Sequence, residues 1–178
     1  MAHSTRPGEC SPPARRIAGR LTRVPQPLRG AAAGVVGTVA MSIPMLLARR
    51  FGVSARLPPE VITGEALDLP PGPRLDVAAS AAHVAFGAVA GAAMSALPAT
   101  RNGRLQSVIA GVGSGLAIWA SSYQGWIPLL RLLPPPRKDD PGRRRTMIGA
   151  HLVFGVVTAL VIRWLERATV TGSPNRAG

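Results

Sequence analysis

A chain of 178 residues holds one domain, and 47% of it is apolar although only 4% is aromatic. Its net charge of +13, from 20 Arg and one Lys against eight acids, points first to nucleic acid; yet the basic residues lie in short runs between apolar windows, without interleaved aromatics to stack on bases, which is the pattern of membrane flanks. The single cysteine, Cys10, has no Cys or His at metal-ligand spacing, which excludes a disulfide framework and a thiolate metal site.

Charge is absent from residues 30–48, 77–100, 105–130 and 146–162. Such windows accommodate the ~17 to 25 helical residues that cross ~30 Å of hydrocarbon. Four transmembrane helices are therefore predicted, at about 30–48, 76–97, 105–126 and 146–165 within a membrane domain of residues 28–166. Residues 1–27, rich in Arg and Pro with Glu9 as the one acid, cannot bury a core and are read as a disordered cytoplasmic tail; residues 167–178 form a second tail. The Arg15-Arg16 pair raises a twin-arginine signal, but the next apolar run starts at Gly30 and ends in Arg49-Arg50, not in a small-residue cleavage site. The first span is read as retained.

That span carries Gly30, Gly34 and Gly37 on one face, where another backbone can approach closely, and Pro44 near its end predicts a kink. Pro58-Pro59-Glu60 then opens a short interfacial helix, stopped by Pro70-Pro71-Gly72-Pro73. The second span places His83, Gly87 and Gly91 on one stripe. The third has Gly111, Gly113 and Gly115, then a polar and aromatic end through Trp119, Ser121, Ser122, Tyr123, Gln124 and Trp126, with Pro128 to stop or bend it. After a hydrophilic turn, the fourth span repeats the stripe as His151, Gly155 and Ala159.

His83-Val-Ala-Phe-Gly87 and His151-Leu-Val-Phe-Gly155 are one phrase said twice, 68 residues apart; Gly34 precedes Gly111 by 77, and Pro58-Pro59 precede Pro134-Pro135 by 76. Each half reads as Gly-rich span, Pro-Pro connection and His-led span. Two spans per half give a parallel repeat, with its pseudo-two-fold along the membrane normal. The expected fold is all-α: an integral membrane four-helix bundle built from two parallel-repeat helical hairpins. Orientation is nearly balanced, with eleven Lys and Arg on the termini side against ten in the Pro-Pro connections. The acid-poor tail places both termini in the cytoplasm.

The Gly-rich first span, Pro-Pro connection, His-x-x-Phe-Gly, Tyr123-x-Gly-Trp-Ile-Pro-Leu-Leu, Leu-Leu-Pro-Pro-Pro, the Arg cluster and Met147-Ile-x-Ala-His-Leu-Val-Phe-Gly together resemble a bacterial family of small four-span membrane proteins, loosely YagU-like. The likeness covers about residues 28–165 and implies a multi-pass protein of the bacterial inner membrane, with a stress- or acid-tolerance role. It implies no cofactor and no substrate.

An imidazole in lipid is costly unless partnered, so His83 and His151 head the candidate functional residues, with Tyr123, Gln124 and Trp126 at the polar end of the third span. The histidines suit three roles: hydrogen bonds that fix helix packing, proton handling, or axial ligation of a haem iron or a soft metal ion. Packing is the first reading, and no metal site or cofactor is assigned. Gly30, Gly34, Gly87, Gly91, Gly111, Gly115 and Gly155 are read as packing contacts. The membrane windows hold no acid or lysine, and the loop acids Glu60, Glu65, Asp68, Asp139 and Asp140 lack a base at useful spacing, so no enzyme is predicted. The sequence points to a structural or partner-binding membrane protein. Its rivals are a small transporter or channel with a His-lined path for protons or a small solute, and a bis-His haem or metal protein. The partners expected are the lipid bilayer and a second copy or another membrane protein, not nucleic acid.

Overall fold

A computed structural model describes residues 24–53, 57–134 and 137–171. Most of the amino-terminal tail, with Cys10 and Arg15-Arg16, lies outside the described residues, as does the end of the carboxyl-terminal tail from residue 172. Regular structure among the described residues is entirely helical: α1 Gln26–Arg50, α2 Pro58–Leu67, α3 Pro73–Ser95, α4 Ala99–Asn102, α5 Arg104–Trp119, a π-helical stretch Ala120–Trp126, α6 Ile127–Leu129 and α7 Pro141–Thr171.

Four helical segments are long and apolar enough to cross a membrane: Gln26–Arg50, Pro73–Ser95, Arg104–Leu129 and Pro141–Ala168. Their outward faces expose Val39, Ile43, Val77, Val89, Leu105 and Ile109. Against lipid tails that surface is favourable; in water it would be one contiguous apolar patch. The chain is a multi-pass membrane protein with an all-α four-helix bundle.

The helices outrun their charge-free windows. Helix α1 starts at Gln26, whose side-chain amide donates to the Ser95 carbonyl at the end of α3. Arg29, one turn on, pairs with Glu166 at 3.4 Å with both side chains largely buried. Helix α7 continues to Thr171, past the boundary expected at 166, since no Pro or Gly interrupts it before Gly172. The third span runs on to Leu129 because Pro128 falls in the first turn of α6, where its missing N–H costs nothing. Pro44 lies inside α1 without ending it.

Glycine decides which spans meet. A Cβ on Gly34 would fall on the Gly87 carbonyl, and one on Gly111 or Gly155 would fall on the other's carbonyl. Thus α1 packs backbone to backbone on α3, and α5 on α7. Both histidine helices begin with a proline ten residues before the ring. The whole bundle, however, does not keep the expected two-fold. Helix α1 also packs along α7, since Gly37 admits Thr158 and Phe154, whereas α3 and the third span have no such backbone approach. There the rings of Phe86 and Trp126, 6.4 Å apart, stand between them.

The core follows this layout. Ala33, Met41, Met45, Met94, Phe154 and Ile162 fill the space between α1, α3 and α7. A second cluster, Tyr123, Ile127, Leu133 and Met147, closes the end at the Pro-Pro connections. The predicted interfacial helix is α2: Glu60 in its first turn accepts from the Leu57 backbone N–H at 3.3 Å and pairs with Arg49 at 2.9 Å, and the chain leaves it through Asp68 at φ 51°. It packs on α3 and lies across the connection end of the bundle.

Candidate functional site

His83 sits ten residues into α3 and His151 ten residues into α7, roughly 15 Å along each helix at 1.5 Å per residue. Asp76 and Arg145 mark the nearest charge, so each ring lies about two turns inside the apolar zone. Both line one cavity of about 260 Å³. Thr38, Met41 and Met45 of α1 form its inner wall, and Phe154 and Met147 of α7 continue it. Pro58, Ile62 and Thr63 of α2 roof it, and the third span closes the far side with Ile118, Ser122 and Trp126. No charged side chain is among the lining residues.

The polar atoms in this wall are few. Thr38 Oγ1 donates to the Gly34 carbonyl at 2.9 Å and Ser122 Oγ to the Ile118 carbonyl at 2.6 Å, so both hydroxyl protons are spent on the backbone. His151 Nδ1 lies 2.8 Å from the Met147 carbonyl. A carbonyl only accepts, so the proton of the neutral ring is on Nδ1 and Nε2 carries a lone pair. His83 Nε2 is buried and has no hydrogen-bond partner among the described residues. The imidazole of His151 and the hydroxyl of Thr63 are the remaining polar groups that face an otherwise apolar chamber.

The π-helical stretch shapes the far wall. Residues four apart overshoot a full turn of α-helix by about 40°; the wider turns of a π-helix reduce that drift, so Ile118, Ser122 and Trp126 stay on one side. Gly125 departs from helical geometry at φ −103°, ψ −106° and kinks the stretch just before its end.

The expected polar end of the third span is divided. Trp126 joins His83 and His151 at the cavity, against Phe86. Tyr123 does not: fully buried in the second core cluster, its hydroxyl donates to the Asp139 carboxylate, which also pairs with Arg143 at 3.4 Å. Gln124 is exposed on the outside of the bundle. The seven glycines read as packing positions are all buried, and a Cβ on any of them would meet a neighbouring helix. Sequence reasoning had Ser122 in the polar end but missed Thr38, Ile118 and the α2 roof; only a period wider than 3.6 through residues 118–126 could have joined Ile118 to Ser122.

Among the described residues no three His, Cys, Asp or Glu side chains gather as metal ligands, while the thioethers of Met41, Met45 and Met147, donors suited to a soft ion, line the cavity with the two imidazoles. A haem exceeds the drug-sized molecules that take ~300–1,000 Å³, and this cavity is smaller than that. Compared with family models, curated proteins and solved structures, the chain matches none.

Proposed function

We propose that this membrane protein is a binding protein of the lipid phase, which takes a small apolar molecule into the cavity between His83 and His151. The observation that carries this reading is the cavity itself, walled by all four spans, roofed by α2 and free of charge. It lies on the side where α3 and the third span do not pack, so a molecule dissolved in the bilayer reaches it past Phe86 and Trp126 without crossing water. A bacterial inner membrane, suggested by the Arg-rich flanks and the YagU-like resemblance, is the proposed location. A conducting path along the histidines is less favoured. On the termini side of the cavity the spans close backbone to backbone on Gly30, Gly34, Gly91 and Gly155.

Ala82 lines the cavity from α3 and is otherwise exposed, so a larger side chain can enter the chamber without displacing a buried neighbour. Detergent-purified wild type and Ala82→Trp should be melted with and without 1-methylnaphthalene. Saturation at 100 times Kd stabilises a binding protein by ~2.7 kcal/mol, so the wild-type midpoint should rise and that of Ala82→Trp should stay put. Equal shifts, or none in either protein, reject the reading.

A further inference from the structure

We infer that the cavity selects an uncharged apolar molecule bearing a hydroxyl group, which donates to the imidazole of His151; this rests on the binding function proposed above. Size sets the first limit. An apolar cavity of ~150 Å³ takes benzene, and one of about 260 Å³ has room for two fused rings. Charge sets the second: no charged side chain lines the wall, and an ion without a counter-charge in a low-dielectric chamber is strongly disfavoured.

A ring nitrogen sets the third. Because the Met147 carbonyl holds the Nδ1 proton of His151, Nε2 of that ring can only accept, and the ligand must donate. A ketone or ether would set one lone pair against another. Nε2 of His83 is buried out of reach of the cavity, so that ring takes no part in the bond. A hydroxyl supplies the donor that His151 needs without bringing a charge. Thr38 and Ser122 do not compete for it, since their hydroxyls have given their protons to their own helix, and the hydroxyl of Thr63 on α2 is the other polar group in the wall.

The test compares 1-naphthol with 1-methylnaphthalene, in which a methyl of similar size replaces the hydroxyl, by calorimetric titration of the detergent-purified full chain. Wild type should bind naphthol about tenfold more tightly, the worth of one satisfied buried hydrogen bond. In His151→Phe the preference should fall to about threefold or less while methylnaphthalene still binds, which shows that the chamber is intact; in His83→Phe the preference should persist. Equal affinities in wild type overturn the selection of a hydroxyl and leave the binding function standing. A preference that survives His151→Phe, or that is lost equally in His83→Phe, also overturns it. Failure of both probes to bind wild type overturns the binding function as well.

Discussion

Tyr123 and Asp139 show how much a membrane bundle relies on one polar contact at its rim. The phenol is fully buried and the Asp139 side chain is only 4% exposed, held by that hydroxyl and by Arg143. Removing the hydroxyl in Tyr123→Phe leaves a nearly buried carboxylate one donor short, at a cost of about 1–3 kcal/mol. Denaturant unfolding of Tyr123→Phe, Asp139→Asn and the double variant should give a double cost below the sum of the singles, because both remove the same bond. Strict additivity would mean that the two groups act independently. The sequence hid this pair: the two lie sixteen positions apart, across the end of the third span and a proline-rich turn, and no periodicity links a helical tyrosine to a loop acid. The common depth of His83 and His151, by contrast, was legible, since the phrase around them is repeated at one register and lipid makes any buried imidazole conspicuous.

At the scale of the helix, glycine positions separate into two kinds. Gly155 faces the Gly111 backbone, which cannot yield as a flexible side chain could; Gly113, two residues from Gly111, faces open space. Gly155→Ala should therefore destabilise by about 1–3 kcal/mol through overpacking. Gly113→Ala should be neutral or stabilising by up to about 1 kcal/mol through helix propensity. Thermal unfolding of the two variants checks the order, and equal effects would refute the seam. The spans and their small-residue faces were readable in sequence because hydrocarbon demands apolar runs and only glycine lacks a Cβ. The splitting of the third span's polar end was not. Any 3.6-residue wheel drawn through residues 118–126 misplaces Gln124 and Ser122 once the helix widens into its π-helical stretch.

For the whole molecule, an even number of spans puts both connections on one face and the α3–α5 turn with the termini on the other. With Cys10 replaced by serine, single cysteines at Gly52 and Lys138 should label from the same side of sealed vesicles, and one at Asn102 from the opposite side. Labelling of Gly52 and Lys138 from opposite sides would sink the four-span topology. The breaking of the two-fold belongs to this scale too. Nothing local distinguishes a hairpin that shares its outer face from one that does not, and the choice of α1 with α7 over α3 with the third span rests on Gly37 meeting Thr158 and Phe154 across the bundle.

The contact of α1 with α7 also bears on how the protein is made. Helix α1 ends at Arg50 and α7 begins at Pro141, so at ~5–20 residues per second the ribosome takes on the order of 5 to 20 seconds to deliver the second after the first. During that interval α1 and α3 can zip along their glycines, but the face of α1 around Gly37 stays bare in the bilayer, and the chamber lacks the wall that carries His151. Nascent chains stalled before Pro141 are thus inserted yet incomplete, with an open small-residue face that a membrane protease or a stray helix can read. The last helix to leave the ribosome is the one that finishes both the core and the site.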